Sequence, residues 1–467
     1  METTVHSPGV QDYIARGVQM TAAAAEQRRV MRGKRFDTIA VHGVYNMAAA
    51  LANQGSIMEP GYFATSQHFE DSDHMETALA YQMPSWTYAR IANPTQGYLE
   101  ETLALLEGYG YPGEVSATVT ASGRAAVFMA TNPFLMQESG GSNGHGPARA
   151  NIVASAKCYG GTFMLFSQRY QAERGVEVRW VRNPLDLSEW ASKIDAGTRL
   201  VFGEMPSNPG LGLFDIAGLA ALAHSHNLPL IVDSTVATPA LMRPLQHGAD
   251  IVVQSLSKTM GSSGMAIAGA VIARHNIPSR VGPDELRANF ALYVKLLPLR
   301  DHGPGLSPFS ALMIMNDLRT LRGKIDHMSR SSEQVAAWLS QHAAVETVNY
   351  PGLASFEGHG IAQQYMWLAD GEDDYGAPVN RYGHLLSFTV KGGVPATRRT
   401  FDRLQMVWRA TDLGRIKSVA TIPAISTHQQ QGEAGRSLAQ VPGNLIRLSV
   451  GGEHPADIIE DLAQALG

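Results

Sequence analysis

Cysteine is almost absent: Cys158 is the single one in 467 residues. No internal disulfide can form, and no cysteine-rich metal site can be built. The chain is also poor in charge, with 17% Asp, Glu, Lys and Arg and a net charge of -5. That balance gives no general attraction to nucleic acid or to a membrane surface. No apolar run reaches the length of a membrane span, and residues 1–19 lack the apolar core of a signal peptide. Segment 16–35 is basic and alanine-rich, as a transit peptide is, but Glu2, Asp12 and Glu26 argue against one. A cytoplasmic protein is expected. No period of solenoid or propeller length is present. No Gly-x-Gly-x-x-Gly opens a strand–helix unit, which disfavours a nicotinamide dehydrogenase. What remains is a globular chain, 44% hydrophobic, long enough for two or three domains.

Residues 1–91 carry little regular alternation; a helix is expected over 19–32, with alanines and an arginine face. The cluster from His68 to Glu76 is rich in carboxylates and histidine, but it reads as a solvated helix start. Its acids suit the positive end of the helix dipole, and no second ligand cluster accompanies them. From Asn93 the texture changes. Residues 99–106 have helical spacing, and Ser122-Gly123-Arg124 opens a run of small and apolar residues to Ala130. A glycine there leaves backbone N–H groups free to hold an anion. Strands are expected over 151–155, 176–181, 199–204, 228–233 and 251–254, with a helix over 216–226. Strands alternating with helices imply a mostly parallel sheet covered on both faces. In such sheets ligands bind beyond the carboxyl ends of the strands, where Glu204, Asp233 and Ser255 stand. Segment 281–304 breaks the pattern and 304–308 reads as a linker. A long helical stretch over 310–339, strands over 385–390, 418–422 and 445–450, and a closing helix over 455–466 make a second, smaller α/β domain. The acidic, turn-rich piece 369–382 reads as a surface loop.

One stretch draws the chemistry together. Ser255-Leu256-Ser257-Lys258 follows the apolar run Ile251-Val252-Val253 and precedes another, 266–273. A lysine between buried strands is costly unless it is paired, neutralised or covalently used. Desolvation lowers its pKa and frees the amine to attack carbonyls. With two hydroxyls beside it for a phosphate, the set suggests a Schiff base to pyridoxal phosphate; the alternative is a lysine snorkelling to water. Asp233 ends a very apolar strand, where a carboxylate needs a cationic or hydrogen-bonding partner. A protonated pyridine nitrogen is such a partner and keeps the cofactor an electron sink; a cap on the following turn is the other reading. Tyr159, in Cys158-Tyr159-Gly160-Gly161-Thr162, can stack on a ring that the glycines allow to approach, or be a turn tyrosine. Arg447 interrupts the apolar strand Leu445-Ile446-Arg447-Leu448-Ser449-Val450. It can grip a carboxylate bidentately or face outward on an alternating strand.

The motifs run in a set order. Tyr88-Ala89-Arg90-Ile91-Ala92-Asn93-Pro94-Thr95 and Leu105-Leu106-Glu107-Gly108 come first, then Ser122-Gly123. Tyr159-Gly160-Gly161-Thr162, Pro206-Ser207-Asn208-Pro209 and the run from Val232-Asp233 to Pro239 follow. Ser255 to Lys258 and Arg447-Leu448-Ser449-Val450-Gly451 close the series. This order resembles the Cys/Met-metabolism family of pyridoxal-phosphate enzymes, from about Gly61 to the C-terminus. Within it, Leu299-Arg300-Asp301, 306–311, Leu413-Gly414, Lys417-Ser418 and Ser426-Thr427-His428 are most similar to the O-acetylhomoserine sulfhydrylase branch. Methionine γ-lyases typically carry a cysteine where Gly161 stands.

The resemblance implies an α/β protein of the type I pyridoxal-phosphate transferase fold. It would have an N-terminal arm over 1–92, a cofactor domain with a seven-stranded-type, mostly parallel sheet over 93–308, and a smaller α/β domain over 309–467. Lys258 would hold the cofactor and shuttle protons; Tyr159 would stack on the ring and assist. Asp233 would meet the pyridine nitrogen, and Asn208 would lie near the ring hydroxyl. Gly123 and Arg124, with Ser255 and Ser257, would hold the phosphate. Tyr88 and Arg90 would reach a neighbouring subunit's phosphate in a homotetramer of active-site dimers. Arg447 would bind the substrate's α-carboxylate with Asp412 beside it. No metal, nucleic acid or membrane partner is implied. The expected reaction is sulfhydrylation of an O-acylated homoserine; the alternative is a γ-lyase acting on methionine or on a cationic amino acid such as canavanine. Two departures bear on substrate. Ser262-Ser263-Gly264-Met265 follows the lysine where the family often has Gly-His-Gly or Gly-His-Ser-Asp, and Asp412 stands where Ser or Asn is common.

Overall fold

Seven runs dominated by small, β-branched and apolar residues make the main sheet of the computed structural model, which describes residues 7–135, 149–373 and 376–467. They are β1 (Val115–Thr120), β2 (Asn151–Ser155), β3 (Glu177–Val181), β4 (Thr198–Glu204), β5 (Leu230–Asp233), β6 (Ile251–Gln254) and β7 (Gly269–Arg274). Their order across the sheet is β1-β7-β6-β5-β4-β2-β3. β7 runs antiparallel to both neighbours, and the other pairs are parallel. Every strand except β7 therefore points the same way, and their carboxyl ends share one edge.

The central strands are apolar almost without a break because both faces are covered. Val201, Val232 and Val252 face a cluster with Leu219, Ala220 and Ala223 of the helix Ile216–Ser225. Leu200, Phe202, Ile231, Ile251 and Val253 face Val127, Phe166 and Tyr170 on the other side. Each such side chain, fully buried, contributes about 1.5–3 kcal/mol.

β1 is a strand the sequence pattern did not reveal. Thr118 and Thr120 are buried in it, and Thr118 Oγ1 donates to the Ala291 carbonyl at 2.6 Å. Polar residues that satisfy themselves inside hide the apolar signature.

The smaller sheet has the order β12-β13-β14-β11-β8. It is built from β8 (Val345–Asn349), β11 (Leu385–Val390), β12 (Trp408–Arg409), β13 (Val419–Thr421) and β14 (Leu445–Ser449), while β9 (Trp367–Glu372) and β10 (Pro378–Asn380) form a separate antiparallel hairpin. That hairpin replaces the surface loop expected over 369–382: Leu368 and Ala369 are buried, and Asp370 accepts from the Phe36 N–H at 2.8 Å. Residues 374 and 375 of that segment lie outside the described residues. The stretch over 310–339 divides into the helices Pro308–Leu318 and Leu321–Gln341. At the break Lys324 Nζ donates to the Asp317 carbonyl at 2.8 Å, and Arg319 turns to Glu59 at 2.5 Å. The helix expected over 19–32 begins earlier, at Pro8, where Ser7 Oγ accepts from the Val10 N–H. At the 68–76 cluster Asp71 caps the helix Ser72–Leu79, accepting from the His74 N–H at 2.8 Å. The closing helix spans Pro455–Leu466, as expected. Among the described residues no helix is long and apolar enough to cross a membrane.

Candidate active site

The turns after β1, β2, β4, β5 and β6 meet over the carboxyl edge of the large sheet. With the loop 411–415 and β14 of the smaller sheet they enclose a cavity of about 440 Å³. Ser122, Gly123, Arg124, Tyr159, Glu204, Asn208, Asp233, Ser255, Ser257, Lys258, Asp412, Arg415 and Arg447 are among the residues that line it.

Lys258 reaches the cavity because its turn is pinned on both sides. The Ser255 N–H donates to Thr235 Oγ1 at 2.8 Å, and Ser257 Oγ donates to the Ala268 carbonyl at 3.0 Å while accepting from the Ala268 N–H at 2.9 Å. The Ser257 hydroxyl proton is thus committed to the main chain, and this residue acts on the turn as much as on any ligand. The departures after the lysine are anchored too. Ser263 donates to Asp317 through its N–H at 3.0 Å and its hydroxyl at 2.6 Å, and Lys324 Nζ donates to Ser262 Oγ at 2.8 Å. Lys258 Nζ lies 2.6 Å from Asp412 Oδ1.

At the other end of the cavity Ser122 caps the helix Gly123–Thr131, accepting from the Ala125 N–H at 3.1 Å. The N–H groups of Gly123 and Arg124 have no hydrogen-bond partner among the described residues. A side chain at Gly123 would put its Cβ 2.5 Å from the Ser255 Cβ. The two turns therefore touch, and the glycine opens a backbone cradle where a phosphate's charge suits the helix end.

Asp233 is 8% exposed. Its Oδ1 accepts from the Thr235 N–H at 3.1 Å and the Thr235 hydroxyl at 2.6 Å. It caps the turn and still leaves Oδ2 for a partner, so the two sequence readings are compatible. Burial pushes its carboxyl up to about 6, against the hydrogen bonds from Thr235. Glu204, equally buried, is pushed up by burial and then by the charge of Asp233. Its oxygens accept from the N–H groups of Tyr159 at 2.5 Å and Asn208 at 2.8 Å. Glu204 thus holds two site residues by their backbone, a role its position at a strand end did not reveal. A cationic ring nitrogen at Asp233 Oδ2 would relieve this buried acidic pair. Tyr159 is 41% exposed, and the Arg124 guanidinium lies 6.0 Å from its ring centroid. The open Asp233 oxygen, the unpaired N–H groups and the cradle at Gly123 together fit pyridoxal phosphate.

Arg447 is fully buried, so the outward-facing reading of β14 falls. Its guanidinium donates to Asn208 Oδ1 at 3.0 Å and to the Asp412 carbonyl at 2.6 Å, while Nε has no partner among the described residues. Burial lowers its pKa to about 10, with Asp412 and Tyr159 opposing. It remains a cation at neutral pH and can receive a carboxylate. Asp412 stands beside Arg447, as expected, but meets it through the main chain: the Asp412 carbonyl accepts from Arg447, and the carboxylate turns to Lys258 and to Arg415 Nε, 2.5 Å away. Arg415 also reaches the Gly261 carbonyl at 2.9 Å. No signal in the sequence marked Arg415: Asp412 lies three residues before it, but the Gly261 carbonyl that also holds it lies far along the chain. Asn208 is brought to Arg447 by its side chain. Tyr88 and Arg90 stack on each other, guanidinium 5.1 Å from the ring centroid, outside this chain's cavity.

Over residues 37–467 the chain matches the family model described as Cys/Met metabolism PLP-dependent enzyme. It is 32% identical to an O-acetyl-L-homoserine sulfhydrylase of Leptospira meyeri, covering 92% of this chain and 96% of that protein. It is 33% identical to an L-methionine gamma-lyase of Pseudomonas deceptionensis, covering 92% and 97%. A Campylobacter jejuni crystal structure that carries N'-pyridoxyl-lysine-5'-monophosphate superposes with a TM-score of 0.80 at 33% identity, covering 93% of this chain and all of that one. The protein therefore belongs to the Cys/Met-metabolism family of pyridoxal-phosphate-dependent enzymes.

Proposed function

We propose that this enzyme replaces the γ-substituent of an O-acylated homoserine with sulfide, so that O-acetylhomoserine and sulfide give homocysteine and acetate. The observation that carries the reading is the convergence of Lys258, Asp233 and the buried, incompletely bonded Arg447 on one cavity. Bound pyridoxal phosphate supplies the electron sink for carbanion chemistry at the amino acid. Arg447 takes the α-carboxylate, replacing the bond to Asn208 or using the vacant Nε, and fixes the substrate's orientation. Lys258 moves protons between the α- and β-carbons, held meanwhile against Asp412. Tyr159, with its backbone clamped by Glu204, stands where it can stack on the ring and assist the departing group. Its backbone clamp keeps it in place while the side chain remains open to the cavity.

Replacement is favoured over elimination by the space at Gly161. Methionine γ-lyases typically carry a cysteine here, and a Cβ at Gly161 would require the Arg124 guanidinium and the Tyr159 ring to shift from this arrangement. The reading extends to a cytoplasmic, homotetrameric enzyme whose Tyr88 and Arg90 complete a neighbour's site. The test is a product assay of purified enzyme with O-acetylhomoserine, methionine and canavanine, each with and without sulfide. Homocysteine formed only from the ester and sulfide is expected. A 2-oxo acid released from methionine or canavanine at a higher kcat/KM would overturn the assignment in favour of a γ-lyase.

A further inference from the structure

We infer that His384 is a positioning residue for the reacting lysine: its imidazole ties the turn carrying Lys258 to the loop carrying Asp412 and to the strand carrying Arg447. The inference rests on the pyridoxal-phosphate reading of the cavity and concerns residues to which that reading gives no role.

His384 lies just before β11 and is 0% exposed. Its Nε2 is 2.9 Å from Thr259 Oγ1, and its Nδ1 is 3.1 Å from Ser449 Oγ. Thr259 directly follows Lys258, and it is fully buried too. Ser449 Oγ also accepts from the Gly414 N–H at 2.8 Å, and the Val450 N–H donates to the His384 carbonyl at 2.8 Å. One ring therefore joins three segments: the lysine turn of the large sheet, the loop 411–415, and the end of β14.

The imidazole is neutral at physiological pH. Burial, with Arg447 nearby, lowers its pKa to about 4. A neutral ring has one N–H and one acceptor nitrogen. In the tautomer with the proton on Nε2, Ser449 donates to Nδ1 and Nε2–H donates to Thr259, and the hydrogen bonds run in one direction from Gly414 to Thr259 and reinforce one another. An apolar side chain of similar volume would leave the buried Thr259 hydroxyl without its partner and the Ser449 hydroxyl proton without an acceptor.

The geometry gives this link a consequence for chemistry. Gly414 has a positive φ of 71°. A Cβ on it would come 2.6 Å from both the Thr259 nitrogen and Thr259 Oγ1, so the loop rests directly on the lysine turn. The same loop sets the 2.6 Å contact between Asp412 and Lys258 and presents the carbonyl that holds Arg447. Slackening the link at His384 shifts the amine relative to the carboxylate grip, and displacements near 1 Å can cost roughly a hundredfold in rate.

The test uses the enzyme loaded with pyridoxal phosphate. His384→Asn places an amide near the Nδ1 position and retains the Ser449 contact; Thr259→Val removes the hydroxyl at the other end and keeps the volume. Each is read by the pH midpoint of the visible cofactor band, by kcat and KM, and by Tm. Each variant is expected to move the midpoint by at least about half a pH unit and to lower kcat roughly tenfold, with KM within about threefold. The double variant should be no worse than the poorer single one, because both cut the same link. A fall in Tm with midpoint and kcat unchanged would overturn the inference and leave a purely structural histidine, as would effects that multiply in the double variant. Should His384→Asn not fold, Thr259→Val decides by the same criteria. A wild type with no visible band would overturn the cofactor reading itself, and this inference with it. A coloured enzyme with unmoved variants overturns the inference alone.

Discussion

Lys258 Nζ and Asp412 Oδ1 meet at 2.6 Å, joining the turn after β6 to a loop of the smaller domain. Burial raises the Asp412 carboxyl, but the Lys258 charge and the hydrogen bonds from Lys258 and Arg415 bring it below the usual range on balance. Asp412 is thus an anion at neutral pH with both oxygens engaged. The side chains are 28% and 30% exposed, sheltered enough for the pair to count for more than a surface ion pair.

From this follows a split between binding and turnover. Arg447 leans on the Asp412 carbonyl, which an asparagine keeps, whereas Lys258 leans on the carboxylate, which it weakens. Asp412→Asn should lower kcat roughly tenfold and leave KM within about threefold. Steady-state kinetics decide: a raised KM with unchanged kcat would place Asp412 in substrate binding instead.

The contact between the two turns at Gly123 and Ser255 makes a second expectation. A methyl group at Gly123 lands 2.5 Å from the Ser255 Cβ and 2.9 Å from its Cα, so one turn must move. Gly123→Ala should weaken cofactor binding at least about tenfold, the loss of one charge-assisted phosphate contact. Absorbance titration of cofactor-free protein measures this. Unchanged affinity would remove the cradle from the site.

Stability of the cofactor-free protein should depend on Asp233 in a definite direction. Its folded pKa of about 6 lies above its ordinary 3.8. A carboxyl so raised favours the folded state while protonated, and that contribution is lost as pH rises through the folded value. Relative to Asp233→Asn, the wild type should lose stability from about pH 4 to just above 6 and then level off. Added pyridoxal phosphate, by giving the carboxylate a cationic partner, should reduce the loss. Thermal melts of both proteins across that range check it; parallel curves would refute it.

Arg90 is exposed and outside its own chain's cavity. If it serves a neighbour, Arg90→Ala and Lys258→Ala proteins, each nearly inactive, should regain activity on mixing through hybrid sites. Absence of recovery after demonstrated subunit exchange would mean that the site is built within one chain.

Much of this site is readable from residue type and position. Lys258 and Tyr159 follow, and Asp233 ends, strands whose unbroken apolar runs mark them as buried, and a parallel sheet brings such ends to one edge. Arg447 announces itself by interrupting an apolar strand. Most of what escaped depends on contacts between distant segments. Arg415 and His384 are ordinary surface-type residues until Asp412, Gly261, Thr259 and Ser449 are folded around them. The side-chain direction of Asp412 was equally hidden, since one position offers both a carbonyl and a carboxylate. β1 escaped because its threonines are satisfied internally.

The reversed strand β7 also sets an order of assembly. β1 is completed at Thr120, yet its sheet neighbour begins only at Gly269. A chain emerging from the ribosome at about 5–20 residues per second must carry β1 unpaired until that neighbour arrives. The parallel strands from β2 to β6 can pair meanwhile. When β7 slots in, Gly269 packs against the Ser122 carbonyl so closely that a Cβ would come within 2.3 Å. Insertion of β7 therefore joins β1 to the rest of the sheet and sets Gly123 against Ser255, and because Ala268, directly before β7, pins Ser257, the same strand also fixes one side of the lysine turn.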